Sequence, residues 1–278
     1  MDRLLRALLA VPFLVAVSSV ARPAHANERH FTYTYESATL PAGAAEIEPW
    51  TTWRVGREDY YNRFDHRLEF EYGLTDRLQT SIYINFTAIS QDDEMNMRQT
   101  TFEYAGVSSE WKYKLLDSIA DPIGLALYLE LTGAPDEVEF EEKIIVDKRI
   151  GNMMFAGNLV FEQEVEIGPA ETEVEHILEL DLAGGYFLTE HFMLGLEFRN
   201  HTIIAHGELE ASAFFLGPTI AYAQQTYWIA LSLMPQLAAI TPDPEPAVPG
   251  GPVPPDDDIR DLDHHEMFNA RLLLGFHL

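Results

Sequence analysis

Residues 267–278 read Met267-Phe268-Asn269-Ala270-Arg271-Leu272-Leu273-Leu274-Gly275-Phe276-His277-Leu278. In an extended strand side chains alternate between faces. Phe268, Ala270, Leu272, Leu274, Phe276 and Leu278 then share one wall, and Asn269, Arg271, Gly275 and His277 share the other. Leu273 is the exception, an apolar residue on the polar side. The strand has an oily face and a mostly hydrophilic face, and the sequence stops on it at an apolar residue.

The same alternation recurs upstream. Leu68, Phe70 and Tyr72 interleave with Arg67, Glu69 and Glu71, followed by the turn Gly73-Leu74-Thr75-Asp76. Leu78 to Phe86, Val107 to Leu115, Leu125 to Leu131, Leu178 to Leu182 and Phe192 to Phe198 repeat it, and less regular runs cover 44–55, 138–148, 152–164, 209–223 and 227–239. A soluble sandwich also has one apolar and one polar face. Three features favour a membrane wall instead. The runs are about 10 residues or longer, the length of a membrane strand. Aromatics gather near run ends: Tyr72, Tyr113, Tyr186, Phe187, Tyr222, Tyr227 and Phe276 at one level, Trp53, Phe64, Phe86, Phe198 and Phe268 at the other. The connections alternate in length. Gly73–Asp76, Arg149–Asn152, Phe187–His191 and Ala223–Thr226 are short, whereas Ser90–Thr100, Val165–Glu171, Asn200–Gly207 and Ile240–His264 are long, as in barrels with short periplasmic turns and longer outer loops. The expectation is an all-β chain, a transmembrane antiparallel up-and-down β-barrel of about twelve strands, with fourteen as the alternative, over residues 44–278. An apolar strand at the very end is how bacterial outer-membrane barrels finish.

Residues 1–26 read as a secretory signal peptide: Arg3 and Arg6 give a basic start, Ala7–Val17 an apolar run too short to span a bilayer, and Ala24-His25-Ala26 a small-x-small cleavage site. Residues 27–43 precede the barrel. His30–Ser37 would be a thirteenth run, but it would have to start on the outside, so 27–43 is expected to be a periplasmic or lumenal segment or an extra edge piece. The formal charge is -27, and loss of the leader, with three arginines and one aspartate, leaves the chain two charges more acidic. Such acidity excludes nucleic acid as a partner and suits water or metal cations. With no cysteine there is no disulfide framework, no thiolate chemistry and no lipid-anchored mature form. No cofactor motif is present. The loop 240–264 is Pro- and Gly-rich from Pro242 to Pro255 and then acidic, with Asp256-Asp257-Asp258, Asp261 and Asp263. It lacks the spacing of a specific metal loop, so it is expected to be solvated, with divalent cations held loosely at most.

The polar faces carry Arg54, Arg67, Glu69, Glu71, Glu110, Lys112, Lys114, Glu130, Glu141, Lys143, Asp147, Glu179, Asp181, Glu197, Arg199 and Arg271. These are the lumen-lining candidates. Mixed charges in a confined lumen have two readings: a salt-bridged filling that holds the wall, or a constriction that selects solute. His66, His176, His191 and His201 sit beside no nucleophile motif such as Gly-x-Ser-x-Gly, so no catalytic residues are assigned and the chain reads as a non-enzyme.

The stretch Glu69-Phe70-Glu71-Tyr72-Gly73-Leu74-Thr75-Asp76-Arg77-Leu78-Gln79 resembles the strand-turn-strand signature of proteobacterial outer-membrane β-barrels of the porin-like transporter type, near the phenol-degradation meta-pathway group. Gly106-Val107 with Trp111–Leu115, and Leu216-Gly217-Pro218, are similar to other recurring pieces. The resemblance covers most of the chain in pattern and only short motifs in letters. Leu278 departs from the commoner terminal aromatic, though Phe276 shares its face. The resemblance implies a single barrel in the outer membrane, inserted by the usual machinery and surrounded by membrane lipid and lipopolysaccharide, that passes a small or apolar solute passively. It offers no active-site residues. A structural or surface-interaction barrel is the second reading and an outer-membrane lipid hydrolase the third.

Overall fold

The computed structural model describes residues 28–92, 97–168, 172–242 and 259–278. The leader at 1–26 and most of the Pro- and Asp-rich loop lie outside the described residues. Twelve strands form a closed antiparallel barrel in which each strand pairs with its neighbours in sequence and the first pairs with the last. They are β1 (Ala45–Val55), β2 (Tyr61–Thr75), β3 (Leu78–Asp92), β4 (Arg98–Leu116), β5 (Gly124–Gly133), β6 (Glu137–Ile150), β7 (Met153–Ile167), β8 (Thr172–Phe187), β9 (Phe192–Ala205), β10 (Glu208–Ala223), β11 (Tyr227–Ile240) and β12 (Phe268–His277). Closure removes the unpaired sheet edges that lipid cannot hydrate. The seam runs from Glu46↔His277 to Val55↔Phe268.

The alternation in sequence sets the faces. Leu68, Phe70, Ile82, Ile84, Leu129 and Leu196 are exposed on the outer wall, while Glu69, Glu71, Tyr83, Glu130 and Glu197 are buried inside. Tyr113, Tyr186, Tyr227 and Phe276 are exposed at the short-turn end; at the other end Trp53 stacks on Phe64 and Phe86 on Phe102. Phe187 does not join the first girdle. It points inward, 5% exposed, against His30 and under Arg149.

Three of the four connections expected to be long are mostly ladder. β3 and β4 remain paired to Asp92↔Arg98, β7 and β8 to Ile167↔Thr172, and β9 turns into β10 through His206-Gly207, both at positive φ. A two-residue turn with both φ positive matches strand twist. The polar sequence there marks hairpins running beyond the apolar band, because backbone pairing continues after the lipid stops.

The N-terminal segment is neither a strand nor an edge piece. Residues 28–42 run inside the barrel from the short-turn end, where Ala42 donates to Asp76 at 3.0 Å. Buried backbone amides need partners, and wall side chains supply them. The amides of Thr32, Tyr33 and Thr34 donate to the Glu197 carboxylate at 2.8, 2.8 and 3.0 Å. Asn158 accepts from the Tyr35 amide at 2.6 Å and returns a bond to its carbonyl at 3.0 Å. Ser37 donates to Asp147 and Leu40 to Gln79. Gly73 lets the segment's exit pass, since a Cβ there would lie 2.1 Å from the Pro41 carbonyl.

Between these polar anchors, one part of the lumen around the segment is apolar. Phe31 packs among Trp50, Trp228, Met154, Met193 and Leu273, backed by alanines at 156, 183, 221, 223 and 230. Leu273 thus breaks the alternation of its strand because it faces Phe31. Charged side chains occupy both halves: Glu69, Glu71, Glu110, Asp147 and Glu197 are buried beside or beneath the segment, and others line the half nearer the long connections. Replacing Phe31 with Ala should destabilise the folded barrel by about 3–5 kcal/mol, measured by urea unfolding in detergent; an unchanged midpoint would mean that the segment contributes no packing.

Candidate lumenal site

Above the plug a cavity of about 420 Å³ occupies the half of the lumen nearer the long connections. Its floor is formed by Tyr33 and Tyr35 of the inner segment and Trp50 of β1. Its walls differ in net charge, with Asp65 on the basic side and Lys143 on the acidic side as the exceptions. Arg54, Arg63, Arg67 and Arg271 come from β1, β2 and β12, whereas Glu137, Glu139, Glu141, Glu162, Glu164, Glu175 and Glu179 come from β6, β7 and β8. In a ring of twelve, β6, β7 and β8 lie diametrically across from β12, β1 and β2. A basic wall therefore faces an acidic wall across the space, and low-dielectric surroundings strengthen the field between them.

Each wall is partly braced. Asp65 receives Arg54 at 2.7 Å and Arg63 at 2.6 Å. Lys143 pairs with Glu141 at 3.0 Å, and Arg199 with Glu179 through Nε at 2.8 Å. Glu130 accepts from the hydroxyls of Tyr83 and Tyr128, each at 2.5 Å, and faces Arg67 at 3.5 Å. The floor is held by cations over rings: Arg271 over Tyr33 at 3.9 Å, Lys143 over Tyr35 at 4.3 Å and Arg67 over Trp50 at 4.4 Å. Six of the site's cations, Arg54, Arg63, Arg67, Lys143, Arg199 and Arg271, are thus also supports for the plug or the wall.

The descending end of the long loop docks at the rim. Gln236 donates to the Asp261 carbonyl at 2.8 Å, Arg57 to Glu266 at 3.0 Å, and Asp261 Oδ2 lies 2.6 Å from His265 Nδ1. The other His265 nitrogen meets His201 at 2.9 Å. Burial pushes the Asp261 carboxyl up, but the bonds from His265 and His264 outweigh it and hold it at about 2.

The residues marked in the sequence fall into three places. Arg54, Arg67, Glu130, Glu141, Lys143, Glu179, Arg199 and Arg271 line the cavity. Glu69, Glu71, Glu110, Lys112, Asp147, Asp181 and Glu197 are buried deeper, beside or beneath the inner segment. Lys114 sits at the short-turn rim, 3.6 Å from Asp117 and away from the cavity. Arg63, Asp65, Glu137, Glu139, Glu162, Glu164 and Glu175 were not singled out from sequence. Extending the alternation of Arg67 back to residue 61, and that of Lys143 back to 137, would have placed Arg63, Asp65, Glu137 and Glu139 on the lumen side. The floor residues Tyr33 and Tyr35 carry no such signal.

No curated protein matches the chain. Solved structures do. The NanC porin aligns with TM-score 0.53 at 9% identity, covering 84% of this chain and all of that one. The β domain of the Bordetella autotransporter BrkA aligns with TM-score 0.50 at 8% identity, covering 85% of this chain and all of that one. At such identities the likeness is one of fold, that of porin-like bacterial outer-membrane barrels.

Two predictions test the seating of the inner segment and loop. Glu197→Gln replaces one accepting oxygen by a donor facing three amides, and should weaken the plug by about 2 kcal/mol, seen as faster amide hydrogen exchange at Thr32–Thr34; unchanged protection would mean that other contacts hold them. Asp261 lies below its ordinary value of 3.8, so its contribution is present above pH 3.8 and is lost as pH falls toward 2. Limited proteolysis around residues 259–266 should stay slow down to about pH 4 and rise below it, while Asp261→Asn should expose the segment at neutral pH.

Over residues 23–278 the chain matches the model of the family of unknown function DUF6662, and it belongs to that family.

Proposed function

We propose that this protein is an outer-membrane channel for passive passage of a small polar or charged solute, gated by its own N-terminal segment. The cavity with opposed basic and acidic walls carries this reading. A transverse field of this kind orients a dipolar solute and draws charged ones from bulk water. The excess of carboxylates over bases on the acidic wall favours cations. In this reading the apolar outer band faces outer-membrane lipid and lipopolysaccharide, and the barrel reaches that membrane after export.

Passage requires the segment 28–42 to move, because Phe31 and its neighbours fill the half of the lumen nearer the short turns. Its backbone is held by hydrogen bonds to side chains, which can be exchanged for water one at a time. The packed half also favours a second reading, a barrel that binds solute or partners at its outer end without transport.

Because the chain has no cysteine, a tether can be engineered cleanly. A Cβ on Gly124 would lie 2.3 Å from Ser37 Oγ and 2.2 Å from Asp147 Oδ1, so Ser37→Cys with Gly124→Cys sets two thiols side by side once the Asp147 carboxylate gives way, and loss of free thiol confirms the bridge before conductance is recorded. In planar bilayers the wild-type protein should give cation-preferring conductance, and the oxidised double variant should be closed until a thiol reductant restores it. Glu139→Gln with Glu164→Gln should lower the cation preference. A wild-type barrel that never conducts, or a tether without effect on conductance, would remove the gated-channel reading; the first result would favour the non-transporting one.

A further inference from the structure

Beneath the basic wall five glutamates meet in a region that the channel reading does not use. Glu46 and Glu48 lie on β1, Glu69 and Glu71 on β2, and Glu110 on β4, and all are 0–3% exposed. The ladder places Glu46 directly opposite Glu71 and Glu48 opposite Glu69, an arrangement that repels. Carboxylate oxygens of Glu46, Glu48 and Glu71 lie within 4.8 Å of one another, as do those of Glu69, Glu71 and Glu110, so Glu71 joins two sets.

Protein donors satisfy only part of this cluster. Trp228 donates to Glu46, Trp50 to Glu69 at 3.2 Å and Tyr83 to Glu110 at 3.2 Å. Gly275 makes room for the first of these, because a Cβ there would lie 2.0 Å from both Glu46 Oε1 and the indole nitrogen of Trp228. Glu48 is fully buried and neither of its oxygens has a hydrogen-bond partner; Glu69 Oε1, Glu71 Oε2 and Glu110 Oε1 are also unmet. The basic groups beside the cluster are Arg29, near Glu48, Glu69 and Glu110, Lys112, near Glu71 and Glu110, and His277 at 2.9 Å from Glu46; Arg67 also reaches Glu69 and Lys143 reaches Glu110, but these two are already paired with Glu130 and Glu141. Arg29 and Lys112, the two permanent cations not already paired elsewhere, do not neutralise five carboxylates, and uncompensated buried charge is costly.

We propose that Glu46, Glu48, Glu69, Glu71 and Glu110 bind a hard divalent cation of the calcium type, seated between β1, β2 and β4. The free donors are all carboxylate oxygens, which suits a cation that takes six to eight oxygens in flexible geometry. Bound there, the ion fastens two wall strands on one side of the seam to β4 and offsets the repulsion across the β1–β2 ladder.

Terbium can stand in for calcium, with Trp50 as the light-harvesting ring beside Glu69. The full-length protein, refolded into detergent micelles with terbium present, should show tryptophan-sensitised emission that saturates at one ion per chain and is displaced by calcium. Glu48→Gln should weaken terbium binding by about tenfold or more, and Glu190→Gln, in the exposed short turn after β8, should leave it unchanged. Calcium should raise the wild-type unfolding temperature relative to chelator, a readout that stands if the Glu48 variant does not fold. Absence of saturable emission together with absence of a calcium shift would overturn the proposal and point to carboxylates kept neutral by protons. Equal terbium binding by folded Glu48→Gln would overturn it as well.

Discussion

The arrangement of this lumen depends on one constraint: a stretch of backbone without secondary structure is buried inside a barrel, and its amides must be hydrogen-bonded there. The wall meets the demand with side chains instead of a strand. One carboxylate, Glu197, takes three successive amides, and Asn158 reproduces a ladder pair with its own amide group. These acceptors sit on β9, β7, β6 and β3, so the segment is held from several directions. Its placement in turn fixes the floor of the cavity and the apolar filling below.

This explains a division of labour among the charges. Arg271, Arg67 and Lys143 lie over the rings of the floor or of β1, so they support the plug as well as colour the cavity. The acidic wall has fewer such duties, and several of its glutamates face open space. Mixed lumenal charge braces the wall around Asp65, Glu130 and Glu179, while Glu137, Glu139 and Glu164 gather on the acidic side of the cavity.

The barrel was legible in the sequence because lipid imposes the same rule on every strand. Leu68–Tyr72, Leu125–Leu131 and Phe268–Leu278 each repeat one apolar residue outward per two positions, and the strand number follows from counting them. Loop lengths were not legible, because hairpin backbone pairs beyond the lipid whatever its side chains, as at Asp92↔Arg98. The plug was not legible as a structure either. Its partners are 34 to 165 residues away, and residues matched to scattered wall groups have no period. Its trace in the strands was visible only as exceptions: Leu273 and Phe187, apolar or aromatic residues in positions where alternation or a girdle predicted otherwise, both turn to Phe31 or His30. The acidic side of the cavity was half-read for a simpler reason, since the runs there begin before the regular alternation does.

The N-terminal segment precedes β1, yet its principal anchor, Glu197, belongs to β9. The segment's seat is therefore complete only once β9 has joined the wall. Ring closure between β1 and β12 must therefore enclose a guest already waiting at the centre, or admit it through the short-turn mouth afterwards. Such late, distant contacts slow the search for the final state. Maturation of this barrel and occupation of its interior are two events whose order the chain's own connectivity constrains.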